Sequence, residues 1–390
     1  MKKLNTLAAL SGAALSIPVP AEVTPTDEVI SYRYSSYQEA ESPRERTATL
    51  ETQRYQIDVH QLAYRLPLND DWYLNADLQY ETLSGASPTQ TYKNDEGRSV
   101  LLMSGASIEE QRTDLRLSPK RYFKHGTAGG TFAYSTENDY ESLALGVDGT
   151  LDIFDKHTTL IGSLSKSVDT LSPTEPELGA ARQAADGRGK QSVSVYEGIS
   201  QVINKYSVLQ AGIGYTRLSG YLSDPYKFQD RRPDNRDQYT FSANYRHFAD
   251  VLDGAALHAD ARLYRDDWGV NSQTLEVKWN QGINFWNLRG IFSPKVRYYR
   301  QNEADFYSLV QDSAESGSVP EFKSSDYRLS SYGALSFGIE NTISWQQWAF
   351  HLDYNYYMSR EDLAILGGTD DETPALVNFT TFTLGVDYKL

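Results

Sequence analysis

The nine residues Trp72-Tyr73-Leu74-Asn75-Ala76-Asp77-Leu78-Gln79-Tyr80 alternate without a break. Trp72, Leu74, Ala76, Leu78 and Tyr80 fall on one side, and Tyr73, Asn75, Asp77 and Gln79 on the other. A period of two places alternate side chains on opposite faces of an extended chain, so the stretch is a strand with one apolar face. The pattern recurs along the chain. Leu143, Leu145, Val147, Leu151 and Ile153 repeat it opposite Asp148 and Asp152. Leu257, Ala259, Ala261 and Leu263 alternate with His258, Asp260, Arg262 and Tyr264, and Phe350, Leu352, Tyr354 and Tyr356 with His351, Asp353 and Asn355.

Working outward, sixteen such segments are predicted, at 28–38, 53–67, 71–84, 108–122, 127–137, 140–154, 157–169, 190–204, 206–219, 236–249, 255–266, 271–285, 287–301, 326–342, 346–359 and 377–390. The connections alternate in length. Short ones such as Leu68–Asp70, Phe123–Gly126, Asp155–Lys156 and Asp250–Gly254 separate long stretches at 85–107, 170–189, 220–235, 302–325 and 360–376. Bacterial outer-membrane barrels are built this way, from an even number of antiparallel strands with short periplasmic turns and long outer loops. The fold class expected is therefore all-β: one transmembrane antiparallel β-barrel of about sixteen strands.

Composition agrees. Aromatic residues make up 12% of the 390, with 28 Tyr, and they cluster toward strand ends, as a girdle at a lipid interface requires. The mean hydropathy of −0.55 suits a barrel, in which only every second strand residue meets lipid. No run of eighteen apolar residues marks a membrane helix. The net charge of −15 argues against nucleic acid, and the absence of Cys fits an oxidising compartment. Residues 1–21 read as a secretory signal, with Lys2 and Lys3 before an apolar stretch and cleavage expected after Ala21; residues 22–390 would be the barrel. The segment 22–52 is too short for the plug domain of an energy-coupled receptor. Phe382, Leu384, Val386, Tyr388 and Leu390 form a final amphipathic strand of the kind the barrel-insertion machinery reads.

The segment Tyr32-Arg33-Tyr34-Ser35-Ser36-Tyr37-Gln38-Glu39, followed by Ser84-Gly85-Ala86-Ser87-Pro88, resembles a bacterial family catalogued as domain of unknown function 3570. The resemblance implies an outer-membrane barrel over nearly the whole mature chain. Genes for flavin-attaching enzymes and small secreted proteins often neighbour that family, so it also implies envelope redox work or export. It carries over no catalytic residues.

If the apolar faces meet lipid, the residues between them line the lumen. Basic candidates are Arg112, Arg116 and Lys120 on one strand, and Arg246, Arg262, Lys278, Arg289, Lys295 and Arg297 on neighbouring strands. Acidic candidates are Asp114, Asp260, Glu276, Glu340 and Asp353, with Asp148, Asp152 and Asp387. Basic groups facing acids set a field across a water-filled pore and select anionic or zwitterionic solutes. The same charges could instead pair with one another and fill a narrow lumen. The 85–107 loop could fold inward and constrict the pore. Acids at Asp224, Asp230, Asp234 and Asp237, and at Asp370, Asp371 and Glu372, read as solvated loop charge rather than a calcium site.

There is no GxSxG, P-loop or HExxH, so neither an enzyme nor a cofactor is expected. His247 falls on the outer face without a recognisable nucleophile beside it. The leading function is passage of a small solute or secreted product, with outer-membrane lipid as surroundings. A non-conducting barrel that holds a lipoprotein or periplasmic partner is the alternative, and a lipid-modifying enzyme the third.

Overall fold

The computed structural model describes residues 24–49, 52–86, 88–104, 108–175, 177, 179–310, 321–365 and 373–390. The strands are β1 (Val29–Glu39), β2 (Gln56–Pro67), β3 (Trp72–Gly85), β4 (Pro88–Lys93), β5 (Ser99–Met103), β6 (Ile108–Phe123), β7 (Gly126–Glu137), β8 (Tyr140–Ile153) and β9 (Thr158–Leu171). After a short helix α1 (Ala180–Ala185) come β10 (Gly189–Asn204), β11 (Ser207–Gly220), β12 (Asn235–Ala249), β13 (Ala255–Asp266), β14 (Asn271–Phe285), β15 (Leu288–Gln301), β16 (Tyr332–Trp345), β17 (Trp348–Arg360) and β18 (Phe379–Lys389).

All but β4 and β5 form one closed antiparallel ring of sixteen strands. The first strand pairs with the last, from Val29 opposite Lys389 to Glu39 opposite Phe379. Closure is what lipid demands, because an open edge there would leave backbone N–H and C=O groups without partners. Each of the sixteen expected segments corresponds to one ring strand. The largest displacement is the one expected at 326–342, where the strand starts only at Tyr332. Asp326 accepts a bond from the Arg328 backbone N–H at 3.1 Å and turns the chain into a 3-10 helix over Tyr327–Leu329. The expected loop 85–107 contains the β4–β5 hairpin. The signal segment 1–21 lies outside the described residues.

The two faces of the ring separate by chemistry. Leu145, Val147 and Ile213 are 58–59% exposed on the outer face. Between them the inward side chains are polar and at least half buried, such as Asp148 and Asp152. A ring with apolar side chains outside and polar ones inside is the reverse of a soluble barrel and suits lipid.

The two ends differ. At one end the strands turn over in a few residues, with Phe154, Asp155, Lys156, Trp286 and Gln346 in the left-handed conformation that tight hairpins use. At the other end lie the long connections, with two exceptions. Residues 138–139 and 267–270 are short there too, so the alternation is less regular than the sequence suggests.

Candidate functional site

The inward residues divide the lumen into two unlike walls. On β9 to β11 many are small and hydroxylic, although Tyr196 lies over Gly212 and Lys190 pairs with Asp169 at 3.5 Å. Ser167 and Ser192 lie 2.9 Å apart across one strand pair, and Ser194 and Thr216 2.9 Å apart across the next. Such short side chains leave room inside the ring. The wall from β12 to β18 carries long charged side chains.

Several sequence-predicted lumen residues pair. Arg246 meets Asp260 at 2.7 Å. Lys278 and Lys295 stand directly opposite each other on β14 and β15. Glu340 on β16 reaches both, at 3.2 and 2.5 Å, and offsets what would otherwise be a like-charge contact. Asp387 takes Arg33 at 2.7 Å and His351 at 2.9 Å, beside the seam that closes the ring. Two glycines make room for these contacts. A Cβ at Gly338 would come within 2.5 Å of Lys295, and one at Gly385 within 2.2 Å of Arg33. A glycine opposite an inward cation is the sequence signal that could have located these bridges.

Arg112, Asp114, Arg116 and Lys120 share the inner face of β6 as expected, but Arg112 is buried rather than bathed in water. It donates to Ser135 at 2.8 Å and lies near Glu137 and Asp114 at 3.6 and 3.7 Å. Asp152 accepts from Thr159 at 2.7 Å. Asp353 is inward and half-buried beside Glu340 in the register. Arg289 lies one residue from the turn at 286–287, opposite Asn284, so it belongs to the rim and not to the middle of the lumen. Arg262 and Arg297 are exposed to the interior, and Glu276 sits opposite Arg297 in the register without an ion pair to it. The lumen is thus partly zipped by salt bridges and partly open to water.

Above it, the long loops interlock. The β4–β5 hairpin rises between β3 and β6, and the loop 221–234 between β11 and β12, six strands away around the ring. They nonetheless touch: the Phe228 N–H donates to the Thr89 carbonyl at 3.2 Å, and the Lys227 ammonium to the Pro88 carbonyl at 3.2 Å. Loop 40–55 joins through the Ala48 N–H to the Leu101 carbonyl, and loop 302–331 through Arg231 and Lys323. Ala86, Leu101, Met103 and Ala375 form a small apolar core among them, with Tyr327 packed against it. These contacts bridge the mouth.

A buried ionic cluster holds this cap. Asp326 is fully buried and takes Arg232 at 2.8 Å, the Arg328 guanidinium, and Lys227 at 3.9 Å. Arg232 also binds Asp230 at 2.8 Å, and Arg328 binds Asp224 at 3.2 Å. Burial alone would raise the Asp326 carboxyl, but the charges of Arg328, Lys227 and Arg232 outweigh it and hold the group well below the usual carboxylate range. Below the cluster, Arg54 binds Glu39 at 2.7 Å and lies 5.7 Å from the Tyr327 ring. Asp224 and Asp230 are therefore not solvated loop charges as the sequence reading held. Asp234 and Asp237 are not part of the cluster, and Asp370, Asp371 and Glu372 lie outside the described residues. Among the described residues no group of three or more His, Cys, Asp or Glu is placed to hold a metal ion.

His247 is on the outer face and does have a hydroxyl beside it: Ser207 Oγ lies 2.9 Å from its Nδ1. The partner escaped sequence reading because it sits across the register at the first residue of β11. A nucleophile–base pair needs a third group to orient the base. Here Nδ1 is taken by the serine itself and Tyr245 OH at 3.4 Å, and no carboxylate joins them among the described residues.

No curated protein matches the chain. The bacterial polysaccharide outer-membrane secretin is similar in structure, with a TM-score of 0.50 and 10% identity over 94% of this chain and 100% of that one. CdiB from Acinetobacter baumannii has a TM-score of 0.50 and 11% identity over 93% of this chain and 60% of that one. At these identities the likeness shows the fold, an integral outer-membrane β-barrel. Residues 4–381 match the family described as protein of unknown function, DUF3570, and the chain belongs to that family.

Proposed function

We propose that this barrel is a loop-gated passage that moves a small polar solute or secreted product across the outer membrane. The observation that carries the reading is the combination of water-accessible inward charges with loops that touch across the mouth. Arg262 and Arg297 remain accessible to water inside the ring, and the β9–β11 part of the wall is rich in serine and glycine. A barrel needing only stability would pair or replace such charges, since leaving them free gains nothing. The cap over them is made of loops, the least constrained elements of the fold, joined by charges that a ligand or a field can compete for. In this reading the loops face outward and the short turns the periplasm.

Single-channel recording in planar bilayers tests it. Wild-type protein should be mostly closed with brief openings. Arg328→Ala, which unlocks the cluster without touching the ring, should conduct steadily. A folded variant with a loosened cap and no conductance would defeat the proposal. It would favour the second reading, a non-conducting barrel whose interlocked loops bind a partner; the cleft of about 830 Å³ beside Tyr221, Arg231 and Trp268 is where that partner would sit.

A further inference from the structure

Beneath the cap, on the charged wall, lies a cavity of about 350 Å³. Four aromatic rings and two free charges are its most informative walls. Tyr357 and Phe379 are stacked, with centroids 4.4 Å apart, and Tyr299 and Tyr332 are tilted at 5.7 Å. Arg297 and Glu276 occupy the same lining, on directly opposed positions of β15 and β14. Opposed positions bring side chains close enough to interact. These two make no salt bridge, whereas Lys295, which also lines the cavity one inward position along β15, pairs with Glu340 at 2.5 Å. At the cap end of β15, beyond Tyr299, Gln301 donates to the carbonyls of Arg328 at 3.0 Å and Ser330 at 2.6 Å.

We infer that this cavity binds a small zwitterion carrying a flat apolar ring, of the aromatic amino acid class. Pockets of this size recognise ligands through an apolar lining with a few fixed polar groups. Here the aromatic rings supply the lining for a stacked ring. Arg297 offers a planar fork that fits a carboxylate, and Glu276 accepts from an ammonium. The two charges sit beside one another, so one solute bearing an ammonium and a carboxylate on the same carbon satisfies them together. A plain anion would leave Glu276 facing it, and a plain cation would face Arg297.

The inference rests on the passage reading for its biological sense, but its test does not need transport. Equilibrium dialysis of detergent-folded protein with labelled L-phenylalanine, benzoate, phenethylamine and L-alanine reads the site directly. Heat-modifiability on a gel confirms that each sample is folded. L-phenylalanine should bind at least tenfold better than the other three. Arg297→Gln and Glu276→Gln should each lower that affinity at least tenfold, and Arg289→Gln, at the rim, should leave it unchanged. Equal binding of L-alanine, no binding of any probe, or indifference to both lumen variants would overturn the site. Conductance measured on the same samples separates the two ideas. Openings without selective binding remove this site and keep the passage, and selective binding without openings does the reverse.

Discussion

The cap and the lumen wall are both rich in charge, yet they treat it differently. In the cap, Asp224, Asp230 and Asp326 are shut away from water and matched by Arg232, Arg328 and Lys227. In the lumen, some charges are matched, but among the described residues Arg262, Arg297 and Glu276 have no salt-bridge partner. A buried charge without a partner is costly, so the dry region must balance its account completely. A charge facing water bears no such penalty and stays available to a solute. In the proposed reading, the difference marks where a passage would run and where the cap would close it.

The strongest way to break this contrast is to unbalance the cap. Asp326→Ala leaves the buried cations Lys227 and Arg232, and the partly exposed Arg328, without their shared carboxylate, and loss of one partner from a buried pair costs about 3–5 kcal/mol. Hydrogen exchange in 221–234 and 321–331 should speed markedly while the ring strands stay protected. Uniform exchange across cap and ring would mean the two are not separate units.

Next is the paired part of the lumen. Gly385→Val drives a side chain into Arg33 and displaces the Arg33–Asp387 contact at the seam, an overpacking cost of about 1–3 kcal/mol. The midpoint of urea unfolding in lipid vesicles should fall accordingly. An unchanged midpoint would mean that the bridge adds nothing to closure.

The free charges should move selectivity but not stability. Arg262→Gln with Arg297→Gln should shift the reversal potential in a salt gradient toward cations, with the unfolding midpoint unchanged within error. The reverse pattern would make these arginines structural.

The smallest effect concerns pH. The Asp326 carboxyl is depressed when folded, and an unfolded Asp titrates at about 4. Its stabilisation is therefore fully present above that pH and lost only as pH falls through the lower folded value. Cap exchange rates, corrected for intrinsic chemistry, should be flat from pH 5 to 8 and rise only in stronger acid. Opening between pH 5 and 7 would point to a different lock.

How much of this could be read from the sequence follows from which features are periodic. The strands could, because alternation such as Trp72 to Tyr80 is a local signal. So could the inward placement of Arg112, Arg262 and Arg297, which parity along a strand decides. Height could not: Arg289 has inward parity but sits at a turn, and only the register shows that. The cap was illegible for a different reason. Asp224 and Arg328 lie 104 residues apart in aperiodic loops, so nothing local ties them together. The hairpin β4–β5 was likewise hidden inside what looked like one long loop.

The most direct test of the central claim uses the absence of cysteine from the chain. The backbones of Thr89 and Phe228 meet across the mouth at hydrogen-bonding distance, as paired strands do, which is within the span of a disulfide. With Thr89→Cys and Phe228→Cys together, single-channel current is recorded before and after adding reductant. Silence when oxidised and wild-type openings when reduced are the expected result. Equal current in both states would show that solute and ions bypass the cap, and that it is not the gate.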